Sequence, residues 1–213
     1  MWELVKAGGW LMLPLLLCSI FTAAIAIERF IRLKKAAVLP SALLMNKHQS
    51  VDQVMQKLRQ DQKLQTSTLG RVFSAGYDSK HQSQQFASAQ MEVTASQEIG
   101  YLERNINFLG TLSAVAPLLG LLGTVVGIIE SFLMVDIGAS GDAAMMMPGI
   151  SKALITTAAG MVIAIPALFA HRYFQRLVQE YTAQLEQQAT LFHAALFYQA
   201  ETAEAQQDLK QAS

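Results

Sequence analysis

Five hydroxyl side chains, Ser113, Thr124, Ser131, Thr156 and Thr157, lie inside two long apolar runs of a 213-residue chain. In such surroundings a hydroxyl can orient water, but hydroxyls alone cannot carry a proton across, because some group must titrate. The same runs hold two groups that do, Glu130 in the first and Lys152 in the second. Burying an ionisable side chain in a span costs ~2.5–3.5 kcal/mol on insertion scales, so each is a functional candidate. The two fall at similar depth on antiparallel neighbours. An ion pair near the outer mouth, structural or gating in role, is the economical arrangement; separate snorkelling of both side chains to the interface is the alternative.

The hydroxyls are not scattered. Ser113, Pro117, Gly120, Thr124, Gly127 and Ser131 recur at alternating spacings of three and four, which places them on one face of a helix. Ala153, Thr157, Gly160 and Ala164 do the same on the second run. Because the runs are antiparallel, Thr124 and Thr157 come within about one helical turn of a common depth near mid-membrane. In an oligomer these faces could form a narrow lumen lined by Thr124, Thr157, Thr156, Ser131 and Ser113. The competing reading is close helix packing, for which Gly120, Gly123, Gly127 and Gly160 are well suited; a threonine hydroxyl can also satisfy itself on a carbonyl of its own helix. Pro14, Pro117 and Pro166 each free a carbonyl that lipid cannot satisfy, which argues for neighbouring helices.

The elements that must position these residues are membrane spans. Hydrophobic residues make up 52% of the chain and charged residues 15%, and the apolar residues are concentrated in Trp10–Ile27, Phe108–Val135 and Gly149–Ala170. Each run approaches or exceeds the ~20 residues needed to cross a bilayer. The first resembles a signal peptide in length, but it lacks a basic leader and a small-residue cleavage site, so it is read as a retained span. Cys18, the one cysteine, lies inside it and allows no intramolecular disulfide. Net charge is zero, which gives no reason to expect nucleic acid. The segment between the first two spans carries Arg29, Arg32, Lys34, Lys35, Lys47, Lys57, Arg59, Lys63, Arg71, Lys80 and Arg104. The loop from Asp136 to Pro148 has neither Lys nor Arg and one further acid, Asp142, while His171, Arg172 and Arg176 follow the third span. Positive residues beside spans stay cytoplasmic. The expected layout is a periplasmic N-terminal segment (1–9), a first span (10–27), a cytoplasmic helical insertion (28–105), a second span (106–135), a periplasmic loop (136–148), a third span (149–170) and a cytoplasmic C-terminal helix and tail (171–213).

The insertion has helical periodicity: Val51, Val54, Met55 and Leu58 fall on one face, and Ile99, Leu102 and Ile106 repeat the pattern. Glutamine-rich stretches such as His81–Gln85 separate these segments. After His171 there is neither proline nor glycine, and Leu177, Tyr181, Leu185, Phe192 and Leu196 keep helical spacing, so the third span should continue as one long helix. The polar faces of these helices fit either a bundle packed against copies of itself or a solvated surface. The fold class expected is an all-α integral membrane protein, three transmembrane helices extended by long cytoplasmic ones, assembled as a homo-oligomeric bundle around a central pore.

Three pieces of this sequence resemble the MotA/TolQ/ExbB proton-channel family: WLMLPLLLCS followed by Glu28-Arg29, PLLGLLGTVVGII around Thr124, and PGISKALITTAAGMVIAIPA around Thr157. With the three-span order and the large insertion, the resemblance covers nearly the whole chain. It implies a bacterial inner-membrane homopentamer whose second and third spans line the pore. That pore would hold a single-span ExbD/TolR-like partner with a membrane-embedded Asp. The resemblance further implies that proton motive force drives the assembly, which serves TonB-dependent transport or Tol-Pal envelope maintenance through a TonB-like or TolA-like protein. By the same motifs Thr124 and Thr157 would be the lumen threonines facing the partner's Asp. Two positions depart from the pattern: Lys152 stands where ExbB and TolQ branches often have Glu, and Glu130 where they often have Asn or another neutral residue. Three spans instead of four set the chain apart from the flagellar stator branch, and the ExbB branch is preferred to TolQ.

A non-conducting membrane scaffold is the rival class. An enzyme is disfavoured because neither soluble segment carries a His/Cys/Asp cluster, a nucleophile elbow or a phosphate loop, and the sequence calls for no metal or organic cofactor. His48, His81, His171 and His193 are scattered and read as surface or packing residues. A secondary transporter is disfavoured by the lack of an inverted repeat.

Overall fold

The computed structural model describes residues 8–45, 50–137 and 146–211. The N-terminal segment before Gly8, His48, and most of the acidic loop with Asp142 lie outside the described residues. Every regular element among the described residues is helical. In chain order these are α1 (Met12–Arg32), α2 (Lys35–Val38), a 3-10 turn (Ser41–Leu43), α3 (Val51–Gln60), α4 (Gln62–Gln65), α5 (Thr68–Asp78), α6 (Gln84–Glu103), α7 (Ile106–Ile137) and α8 (Met147–Gln211). Three of them contain stretches long and apolar enough to cross a membrane. The third apolar run and the tail form one helix of 65 residues, α8, with Pro166 inside it, as the absence of later breakers predicts. Pro117 likewise sits inside the 32 residues of α7. Pro14 is different. It stands in the first turn of α1, where a missing N–H costs no helical bond, and the Trp10 carbonyl is met by Leu13 N at 3.1 Å.

The chain divides into two compact units, 1–30 with 105–175, and 31–104 with 176–213. In the first, α7 and the beginning of α8 pair along a seam of small residues, and α1 packs on it through Met12 and Leu15 against Ala116 and Ala164. The opposite faces expose large apolar side chains, among them Leu118, Leu121, Val125, Ile129 and Phe132 on α7 and Leu154, Val162, Ile165 and Phe169 on α8. Apolar groups facing outward and small groups facing inward is the inverse of a water-soluble helix pair and the expected arrangement in lipid.

The second unit is built the other way round. Side-chain caps start its helices: Ser50 on α3, Asp61 on α4, Ser67 on α5 and Ser83 on α6 each accept a backbone N–H. Val51, Val54, Met55 and Leu58 of α3 are buried, as their spacing predicts, and Tyr181, Leu185, Phe192 and Leu196 of α8 are buried too. Phe73 stacks on Phe192 with ring centroids 4.1 Å apart. Tyr181 Oη donates to Leu33 O at 2.9 Å, and Arg71 Nη1 lies 2.7 Å from the Oε1 of Glu98, which is largely buried. One expectation is corrected here. Ile99, Leu102 and Ile106 do not share a helix, because α6 ends at Glu103 and α7 begins at Ile106. The break is made by Asn105, left-handed at φ 64°, a conformation asparagine tolerates better than most residues.

Candidate functional site

The α7–α8 seam is made by Leu109, Leu112, Ala116, Gly120, Gly123, Gly127 and Ser131 on one side and Ala153, Thr156, Gly160, Ala164 and Ala167 on the other, all buried. The backbones approach closely because there is little between them. A Cβ added at Gly160 would lie 2.6 Å from Ala116 O, and one added at Gly127 2.7 Å from Gly149 O. The face read from the sequence is therefore divided. Gly120, Gly127 and Ser131 belong to the seam, while Ser113, Pro117 and Thr124 stand at its edge, half-buried.

The hydroxyls divide in the same way. Thr156 is fully buried and donates back to its own helix, with Lys152 O at 3.1 Å and Ala153 O at 2.9 Å. Ser131 Oγ is 2.9 Å from Gly127 O and 3.2 Å from Met146 O, tying the two helix ends together. Thr157, at the edge, donates across the seam to Gly120 O at 3.0 Å. Thr157 lies at the level of Gly120, and Gly120 is one turn before Thr124, so the two threonines are about one helical turn apart along the pair. Thr124 donates to Leu121 O at 2.6 Å and Ser113 to Gly110 O at 2.7 Å. All of these bonds have main-chain acceptors, so each oxygen keeps lone pairs that can accept from water.

Glu130 and Lys152 meet at one end of this edge. Lys152 Nζ lies 2.9 Å from Oε1 and 2.7 Å from Oε2 of Glu130, so one ammonium bridges both carboxylate oxygens. The Lys152 side chain is 20% exposed and that of Glu130 41%, which leaves the acid open on one side. The Gly8-Gly9 turn covers the lysine stem. Gly9 has φ 72°, a backbone conformation that favours glycine, and the Lys152 side chain runs close over it, with Nζ 2.7 Å from where a Cβ would lie.

At the other end His171 Nδ1 sits 2.9 Å from Ile106 O. Nearby on the chain, Asn105 Nδ2 donates to Glu28 Oε2 at 3.0 Å, and Glu28 Oε1 is 3.6 Å from Nη2 of the buried Arg29. From the sequence His171 reads as a surface or packing residue, and Gly110 beneath it has no evident role. Gly110 falls three residues before Ser113 on the spacing of the stripe, and that signal could have found it.

Small residues sealing two long apolar helices, hydroxyls along the edge of that seam and one Glu–Lys pair mark a helical membrane protein. Comparison with known proteins carries the assignment further. A model of the MotA/TolQ/ExbB proton channel family matches residues 45–187. The putative biopolymer transport protein ExbB-like 1 of Synechocystis sp. is 34% identical over 206 residues, covering 90% of this chain and 78% of that protein. The Tol-Pal system protein TolQ of Haemophilus influenzae is 35% identical over 111 residues, 50% of this chain and 49% of that one. The biopolymer transport protein ExbB of Salmonella typhimurium is 40% identical over 85 residues, 40% and 35% of the two chains. The chain belongs to the MotA/TolQ/ExbB proton channel family.

Proposed function

We propose that this protein is the pore-forming subunit of a proton-motive-force-driven motor in the bacterial inner membrane. In this reading it assembles as a homopentamer, N-terminus periplasmic and C-terminus cytoplasmic. The pore encloses an ExbD/TolR-like single-span partner with a membrane-embedded Asp, and the assembly energises TonB-dependent outer-membrane transport. The observation that carries the reading is the half-buried hydroxyl pair, Thr157 bonded to Gly120 O and Thr124 one turn on, beside a seam too tightly packed to hold water itself. A carboxylic acid desolvated between apolar helices is held neutral, and it can exchange its proton where hydroxyls order water beside it. A potential of about 100 mV supplies ~2.3 kcal/mol per charge moved, enough to bias steps between equivalent subunits. Glu130 and Lys152 close the outer end of the seam's edge as a structural or gating pair.

The relative named for the Tol-Pal system supports a second destination for the same work, envelope maintenance through a TolA-like protein. The test of the shared mechanism is proton uptake into proteoliposomes holding this protein with its partner, followed with a pH-sensitive dye. Uptake should depend on the partner's membrane Asp and vanish when that Asp is replaced by Asn. Equal uptake with both partners would contradict the reading, and none with either would leave a scaffold.

A further inference from the structure

We infer that His171 is a proton-accepting residue at the end of the seam's edge opposite Glu130 and Lys152, an inference that rests on the proton-channel reading above. Three observations meet at this side chain. Ile106 O can only accept, so the 2.9 Å contact puts the ring hydrogen on Nδ1. That leaves the Nε2 lone pair as the exchanging site, and Nε2 has no hydrogen bond among the described residues. The ring is also seated close against α7: a Cβ at Gly110 would lie 2.8 Å from Cε1 and 2.9 Å from Nε2 of His171, so the imidazole in this position lies directly over a glycine. Finally, Gly110 extends the spacing Ser113, Pro117, Gly120, Thr124 by one step, and its carbonyl accepts the Ser113 hydroxyl at 2.7 Å. His171 and the first hydroxyl of the edge thus share a single glycine.

The chemistry balances without another reagent. A proton reaching Nε2 forms an N–H bond and gives imidazolium; loss of that proton to water restores the starting tautomer, and the Nδ1–H bond to Ile106 O persists throughout. Imidazole can take up and release a proton at one ring nitrogen while the other keeps its hydrogen bond, which a hydroxyl of the edge cannot do. The charged groups near this end of the elements that meet here are Glu28, Arg29 and Arg32 on α1 and Arg172 and Arg176 on α8; α7 carries none before Glu130. Glu28 is already engaged by Asn105 and lies beside Arg29, so it is not a second free base at this end. His193 differs, since its Nε2 is the nitrogen lying 3.0 Å from the Gln84 carbonyl.

The experiment is proton uptake by the complex with its partner in proteoliposomes, comparing wild type with His171→Gln, which keeps an N–H donor but cannot titrate, and His171→Ala. Both variants should keep the intact mass of the complex and lose uptake by about tenfold or more. Imidazole added to the buffer should restore the alanine variant, a response that a purely structural role would not give. Wild-type uptake by the glutamine variant, failure of imidazole to restore the alanine variant, or loss of the complex's mass in either would overturn the assignment. A wild-type complex without uptake would sink the proton-channel reading, and this inference with it. A conducting wild type with unaffected variants would sink this inference alone.

Discussion

The α7–α8 seam and the core of the second unit are filled with different residues. Along its middle the seam buries Ala116, Gly120, Gly123, Ala153, Thr156, Gly160, Ala164 and Ala167, with larger side chains such as Leu109 and Leu112 only towards one end, whereas the second unit buries Phe73, Phe192, Tyr181, Leu185, Val54 and Leu58. In water, burial of apolar area drives packing and bulk is rewarded at roughly 25 cal/mol per Å². In lipid a leucine gains nothing by leaving the acyl chains, so helices associate through close backbone approach and short hydrogen bonds, which bulk would prevent. A seam closed along its middle by glycine and alanine leaves Ser113, Thr124 and Thr157 at its half-buried edge.

The contrast can be broken by exchanging the rules. Phe73→Ala should cost ~3–5 kcal/mol by removing the stack on Phe192 and leaving a cavity, read as a lower midpoint of thermal unfolding in detergent. The reverse change, Gly160→Leu, should cost ~1–3 kcal/mol or more, because Ala116 O and the Gly120 backbone cannot move aside as a flexible side chain would. If the leucine variant were as stable as wild type, the seam would not be the packing surface described. Glu130→Gln should cost ~1 kcal/mol, modest because the acid is partly exposed, and adding Lys152→Met should return part of it; single and double variants equal in stability to wild type would show the pair to be incidental. The smallest stability change is expected for Thr124→Val, below ~0.6 kcal/mol since its hydroxyl is bonded within its own helix. A larger loss of stability there would make the threonine structural.

What could be read in advance followed from periodicity. The three apolar runs, the α3 face of Val51, Val54, Met55 and Leu58, and the unbroken course of α8 all rest on spacing that local sequence displays. The rotation of the α7 stripe was harder to read, because Ala116 and Gly123 flank Gly120 on one side and Ser113 and Thr124 lie on the other. Small residues thus cover too broad an arc for spacing alone to say which line meets α8. The break at Asn105 was hidden for a related reason: Ile99, Leu102 and Ile106 keep helical spacing across it, and no Gly or Pro marks the turn. The polar ties Arg71–Glu98 and Tyr181–Leu33 join residues far apart in the chain, and no local pattern announces them.

In the proposed mechanism the edge hydroxyls, and not the seam, order the water through which the partner's Asp exchanges its proton. The most direct test of this claim is dye-reported proton uptake by the partner-bound complex carrying Thr124→Val and Thr157→Val together, a change that keeps side-chain shape and removes both hydroxyls. The account predicts uptake reduced by about tenfold or more with the complex's mass unchanged. Uptake at the wild-type rate in that double variant would contradict it.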